Sequence, residues 1–155
     1  MPATDFVHET EIRVPQARLH AFLCDLHNYV PLHPLIESIE EILPMDALPG
    51  ARRYRVVDRI RLGPFRFRTV YTAALESATA NEVHGHAWQS PGIRLKTIYA
   101  LETTESGTRL VERVSIEAPF LLRRFVVSQA RQSHKETLSK MKAWLEESRP
   151  RTGRD

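Results

Sequence analysis

FLLRRFVVSQARQSHKETLSKMKAWLEE, residues 120–147, predicts a long amphipathic helix, because its apolar side chains recur at the spacing of one helical stripe. The opposite face carries charged residues such as Arg124, Arg131 and Lys135. A helix of this length spans roughly 40 Å, enough to cross a whole sheet, and its stripe must be buried against another layer. The stripe comprises Leu122, Phe125, Val126, Ala130, Ser133, Thr137, Leu138, Met141, Trp144 and Leu145.

The partner layer is predicted upstream, where residues 52–118 form strands separated by the turn signals GP, AN, PG and SG. A strand in residues 4–14, a proline-started helix in 15–26 and a strand near 35–43 precede this antiparallel meander. The predicted fold class is α+β. We expect a curved antiparallel sheet of about seven strands wrapped around the C-terminal helix, with two short helices after the first strand.

Two-residue turns would fix which side chains face each other across each hairpin. The second hairpin then pairs Leu75 with His86. The third pairs His84 with Tyr99. Both histidines of EVHGHAWQ, residues 82–89, are therefore expected on the inner face of the sheet. The whole predicted inner set is Phe67, Tyr71, Leu75, His84, His86, Trp88, Thr97, Tyr99, Val114 and Ile116.

Composition and termini limit the class of protein. With 155 residues, 42% of them hydrophobic, the chain has the size of one domain, which we place at residues 1–148, followed by a disordered tail at 149–155. It has no long apolar run and no signal-peptide pattern, so we expect a cytoplasmic protein without integral membrane association. The lone Cys24 excludes an internal disulfide and a multi-cysteine zinc site.

A resemblance to a known protein family narrows the expected fold and function further. VPQARLHAFLCDLHNYVPLHPLI, residues 14–36, resembles the opening of the START-like polyketide cyclase/dehydrase and lipid-transport superfamily (SRPBCC, helix-grip fold). The shared features are a proline-started helix with a hydrophobic pair, here Leu19 and Phe22-Leu23, and then an aspartate, here Asp25. The link DLHNYVPLHPL is similar to that of the coenzyme-Q-binding branch, except that His33 stands before Pro34.

The resemblance implies a cavity between helix and sheet that accepts lipids, polyketides, isoprenoids or quinone-like rings, and it carries over no universal active-site residue. We therefore expect a hydrophobic small molecule as the partner and no cofactor. The alternative is a cofactor-independent cyclase/aromatase or dehydratase that uses cavity side chains as acid and base. Its candidate catalytic residues are His84, His86, Tyr99 and Glu112. The predicted ligand-binding residues are Phe67, Tyr71, Leu75, His84, His86, Trp88, Leu95, Thr97, Tyr99, Val114, Phe125 and His134.

Other polar residues allow further interpretations of the site. A His-x-His pair supplies two zinc ligands, but the expected neighbours of His84 and His86 are poor ligands, so no metal site is predicted. Asp58 and Glu112 fall on the inner face by the same pairing, and His8 and His134 are expected to face the interior. Because a buried carboxylate without a partner is costly, we expect the acids at a cavity mouth.

The outer face of the first hairpin is basic. Arg59, Arg61, Arg66 and Arg68 lie across from one another there, which allows a second alternative, an interaction module acting through this face. Nucleic acid is not expected, because no aromatic residues are interleaved with these arginines. A row of apolar residues on the same surface suggests a homodimer contact. It comprises Val57, Val70, Ala87, Ile98 and Ala100.

Overall fold

A computed structural model describes residues 3–147 of the chain. Its seven-stranded antiparallel sheet has the order β1-β7-β6-β5-β4-β3-β2, and the predicted α+β helix-grip class is confirmed. The predicted tail, 149–155, lies outside the described residues. The strands are β1 (Phe6–Ile12), β2 (Ile36–Ile42), β3 (Arg52–Leu62), β4 (Phe65–Thr79), β5 (Glu82–Gln89), β6 (Ile93–Thr103) and β7 (Thr108–Glu117). The helices are α1 (Gln16–Leu23), a 3-10 helix (Leu26–Tyr29) and α2 (Phe120–Glu147).

The two α-helices pack on different parts of one face of the sheet. Helix α2 lies mainly against β1 and β7, and α1 lies against β5 and β6. In α2 most of the predicted stripe is buried, with Leu138, Met141 and Leu145 almost fully covered, whereas Leu122 and Trp144 are exposed. Leu19 and Leu23 of α1 are completely buried in the same core. The sheet and α2 thus enclose the space in which a cavity can form.

The first hairpin has the predicted register, but β5 does not. Ile60 pairs with Phe67 as expected. A β-bulge between Ser77 and Thr79 shifts the next pairing by one residue, so Ala74, not Leu75, lies opposite His86. The link between β5 and β6 has three residues, 90–92, instead of two.

Gly92, the third residue of this link, accounts for its three-residue length. Gly92 has φ +61°, the left-handed conformation typical of three-residue hairpin loops. As a result Ile98, not Tyr99, lies opposite His84. The predicted inward orientation of His84, His86 and Trp88 is therefore wrong, because the bulge turns β5 over. The extra residue in the β5–β6 link is a second one-residue shift, and it returns the side chains of β6 to their predicted faces.

The inner face of β5 is made by the other residues of the strand. Val83 is fully buried, and a side chain at Gly85 would contact Leu75 and Thr97. Ala87, expected in the outer apolar row, is instead one of the cavity-lining residues. The last hairpin also differs from prediction, because its four-residue loop, 104–107, places Tyr99 opposite Glu112 instead of Val114. Because side chains alternate between the two faces of a strand, this shift of two residues leaves the inner and outer faces of β7 as predicted.

Candidate functional site

A cavity of about 380 Å³ lies between the inner face of the sheet and α2. Most of the predicted ligand-binding residues border it. His84, Trp88 and Val114 do not. The residues predicted and found at the cavity are Phe67, Tyr71, Leu75, His86, Leu95, Thr97, Tyr99, Phe125 and His134.

The residues that do not belong to the cavity have other roles. Val114 is fully buried against Phe6 and Ala130. The His84 Nε2 atom lies 2.7 Å from Glu82 Oε1. The ring of Trp88 stacks on that of His86, with ring centres 5.7 Å apart. His86 borders the cavity, but strand alternation and this stacking place its ring on the outer face.

On the inner face, one carboxylate collects several partners. Glu112, 1% exposed, lies with its Oε1 atom 3.0 Å from His134 Nδ1 and 3.5 Å from His8 Nδ1. Tyr99 lies directly across from it on β6. We call Glu112, His134, His8 and Tyr99 the Glu112 cluster. It brings together two of the four predicted catalytic candidates, Tyr99 and Glu112, while the other two, His84 and His86, point away.

The Glu112 cluster holds an ion pair. Burial alone would raise the pKa of Glu112, but the charge of His134 and its hydrogen bond to the carboxylate hold it at about 2. Burial likewise opposes the charged form of His134, yet the Glu112 carboxylate outweighs it and raises the pKa of this histidine. Burial raises the pKa of the Tyr99 hydroxyl well above its ordinary value. Between about pH 4.5 and 6.5 the cluster therefore holds an ionised Glu112 and a protonated His134 beside a neutral tyrosine.

A second carboxyl group borders the cavity without such partners. Asp58 of β3 is 7% exposed, and its Oδ1 atom has no hydrogen-bond partner among the described residues. The Oγ1 atom of Thr69, across from it on β4, is also unpaired. Burial raises the pKa of Asp58 to about 7, against the opposing effect of a hydrogen bond with Tyr71. The prediction that Asp58 lies opposite Thr69 on the inner face is correct. The expectation that Asp58 and Glu112 lie at a cavity mouth in contact with water is wrong, because both carboxyl groups are buried.

His33, which stands out in the sequence only as a departure from the family's link, lines the cavity. Burial and the nearby charge of His134 lower its pKa to about 3, so the ring is neutral. Its Nδ1 atom accepts a hydrogen bond from the Leu35 amide at 3.2 Å. The proton therefore sits on Nε2, and the neutral ring keeps one N–H donor. The position of His33 before Pro34 gave no signal that it would line the site.

The arrangement suits recognition of a mostly apolar molecule by a few placed polar groups. Within residues 3–147, no three His, Cys, Asp or Glu side chains are grouped to hold a metal ion. Neither α-helix in that range combines the length and the apolar character needed to cross a membrane.

Solved structures share this architecture. The chain is similar to the Zhui aromatase/cyclase from a Streptomyces species, with 12% identity, a TM-score of 0.72 and 96% of each chain covered. It is similar to a Thermus thermophilus protein, with 18% identity and a TM-score of 0.69 over 93% of this chain and 98% of that one. A START superfamily protein from Mycobacterium smegmatis gives 13% identity and a TM-score of 0.70 over 92% and 97%.

Sequence comparison gives no further assignment, because no family model and no curated protein matches the chain. At these identities the likeness to solved structures establishes the fold alone. The order of strands, the two helical elements after β1 and the long final helix agree with it throughout. The chain therefore has the helix-grip fold of START-like proteins.

Proposed function

We propose that the protein binds an apolar or aromatic small molecule, such as a lipid, a polyketide or an isoprenoid or quinone-like compound, in the cavity between the sheet and α2. The observation that carries this proposal is a cavity of about 380 Å³ whose wall is largely apolar and interrupted by few buried polar groups. Binding sites for small hydrophobic molecules have this composition and fall in or near this range of volumes.

The two kinds of wall residue have different roles. Phe67, Leu95 and Phe125 supply apolar contact area along the cavity. Asp58 and His33 supply an acceptor and a donor that fix the orientation of a ligand. Because Glu112 is already bonded to His134, its cluster stiffens the wall more than it offers free hydrogen-bonding capacity.

The test is a fluorescence or calorimetric titration with a panel of hydrophobic ring compounds and quinones. Phe125→Ala removes an aromatic from the cavity wall and should weaken binding by roughly tenfold, because truncating a packed ring removes much contact area. Trp88→Ala is the matched control, since its ring lies on the outer face, and it should leave affinity unchanged. Equal losses in both variants, or binding by neither the wild type nor any variant, would contradict the proposal.

A second candidate function is a cofactor-independent cyclase/aromatase or dehydratase. The observation that favours it is Asp58, a cavity carboxyl with a pKa of about 7, which can donate or accept a proton at neutral pH. The cluster that holds Tyr99 and Glu112 is less suited to this role, because each of the two is held in one protonation state.

A reaction of this kind has a distinct signature. Asp58→Asn should abolish turnover of a polyketide-like substrate while leaving its affinity within a few-fold of wild type. A pH–rate profile with an inflection near 7 should accompany the wild-type activity. Binding without any turnover in the wild type would leave the first function alone.

A further inference from the structure

The cavity extends toward one end of the sheet. Strands β3, β5 and β7 finish at this end, and β4, β6 and α2 start from it. Phe67 on β4, Pro91 and Ile93 at the β5–β6 link, and Leu122 at the start of α2 all border the cavity. The other end is covered by α1, which packs on β5 and β6. The mouth of the cavity therefore lies between the β3–β4 hairpin, the β5–β6 link and the first turn of α2.

Large apolar side chains project into solvent around this mouth. Leu62 and Phe65 flank the hairpin turn and are 49% and 68% exposed. Phe120 and Leu121 begin α2 and are 91% and 90% exposed. We call these four residues the apolar rim. Exposed apolar groups gathered at one place on a protein mark an interaction surface.

Positive charge accompanies the apolar rim. Arg61 and Arg66 lie opposite one another beside the hairpin turn, and Arg124 is exposed on the first turns of α2. None of these three has an ion-pair partner within residues 3–147. By contrast, Arg59 and Arg68, further along the hairpin, share Glu37. Arg123, also in the first turn of α2, pairs with Asp5. Beside the rim, Arg61, Arg66 and Arg124 are therefore the cations that remain available for a partner.

We propose that the apolar rim docks the cavity mouth on an anionic lipid surface. The rim is carried on two separate projections, a hairpin tip and a helix start, and apolar side chains on such projections can enter the headgroup region without a complementary protein surface. Arginines beside them attract acidic lipid headgroups, each contributing at short range. Docked in this way, the mouth faces the membrane, and an apolar molecule passes between membrane and cavity without crossing water.

The test measures binding of the full-length protein to vesicles of phosphatidylcholine, with and without a minor share of phosphatidylglycerol. We expect binding to the anionic vesicles, weakened by added salt. The triple variant Phe65→Ser, Phe120→Ser and Leu121→Ser should lose about tenfold or more in affinity, because these side chains provide the inserted apolar area. The double variant Arg61→Glu and Arg66→Glu should lose a similar factor, and only on the anionic vesicles.

A matched control lies at the far end of the sheet. Leu43 is 85% exposed and follows the end of β2 that pairs with the beginning of β3. Leu43→Ser removes equally exposed apolar surface away from the mouth and should leave vesicle binding unchanged. All of the changes are at the surface, and circular dichroism checks that each variant is folded.

Several results would overturn the proposal. It fails if the wild type does not bind the anionic vesicles, or if the rim variant binds them as well as the wild type does. It also fails if the rim instead holds two copies together, which light scattering would show as a dimer that the triple variant dissociates. None of these measurements depends on a ligand in the cavity, so failure of this proposal can be distinguished from failure of the proposed ligand-binding function.

Discussion

Glu112 and Asp58 are both carboxyl groups buried on the inner face of one sheet, yet their pKa values shift in opposite directions. That of Glu112 falls to about 2, and that of Asp58 rises to about 7. Burial alone would raise both. Glu112 has His134 and His8 within ion-pair distance of one oxygen, whereas Asp58 has an oxygen without a partner. The partners, and not the depth, therefore decide which group is charged.

The difference indicates separate roles. A carboxylate with a fixed charge and fixed partners holds β7, β1 and α2 together around the cavity. A carboxyl that gains or loses its proton near neutral pH is costly to leave unpaired and is available to a bound molecule. The three predictions that follow test this contrast through stability.

The largest effect is expected from Glu112→Ala. Removing one partner of a buried ion pair leaves the other charge uncompensated, so the free energy of unfolding should fall by about 3–5 kcal/mol near pH 6. Because the folded-state pKa of Glu112 lies below its ordinary value of 4.5, its stabilising contribution is present above that pH and is lost as the pH falls toward 2. The raised pKa of His134 makes its contribution complete below 6.5 and lost as the pH rises through the folded-state value.

Denaturant unfolding of both proteins from pH 3 to pH 8 measures this effect. The difference between wild type and variant should be largest between about pH 4.5 and 6.5 and should shrink at lower pH. A difference independent of pH would show that the pair is not ionised in the folded protein.

Asp58→Asn should act in the opposite direction. The folded-state pKa of about 7 lies above the ordinary value of 3.8, so the wild type loses stability as the pH rises from 3.8 to 7. The variant does not titrate there and should become more stable than the wild type by up to about 4 kcal/mol at pH 8, with little difference at pH 3.5. Thermal or denaturant unfolding at both pH values is the measurement. A wild type that is more stable than Asp58→Asn at pH 8 would indicate a charged Asp58 with partners.

The fold could be predicted from the sequence because the patterns that indicate it extend over many residues and are not lost at a single irregular position. The stripe of α2 repeats through residues 120–147, and one misplaced residue would not have hidden it. The β3–β4 hairpin turns at Gly63, whose φ of +58° suits the predicted turn, and its register was predicted residue by residue. Asp58 opposite Thr69 followed from this register. Glu112 lies on the predicted inner face because the two one-residue shifts on either side of β5 cancel and the shift in the last hairpin is two residues.

The orientation of β5 could not be predicted in this way, because strand faces alternate with a period of two. One bulged residue before the strand exchanged its faces, and one extra loop residue at Gly92 exchanged them back. Neither irregularity has a strong sequence signal. The Glu112 cluster was also only partly predictable. His8, His134 and Glu112 were expected to face inward, but their convergence depends on how α2 is rotated over the β1–β7 pair, which no sequence pattern reports.

The smallest expected effect compares two strand threonines that differ as the two carboxyls do. Thr108→Val removes a buried hydroxyl that donates to the Val14 carbonyl at 2.8 Å, and it leaves that oxygen unsatisfied. It should cost about 1–2 kcal/mol of unfolding free energy. Thr69→Val removes a hydroxyl that has no hydrogen-bond partner within residues 3–147, and it should be neutral or slightly stabilising, since the two side chains have the same shape. Parallel denaturant unfolding of both variants at pH 7 gives the answer. A loss in Thr69→Val as large as in Thr108→Val would mean that this hydroxyl bonds to Asp58, and the contrast between the two carboxyls would then be one of degree.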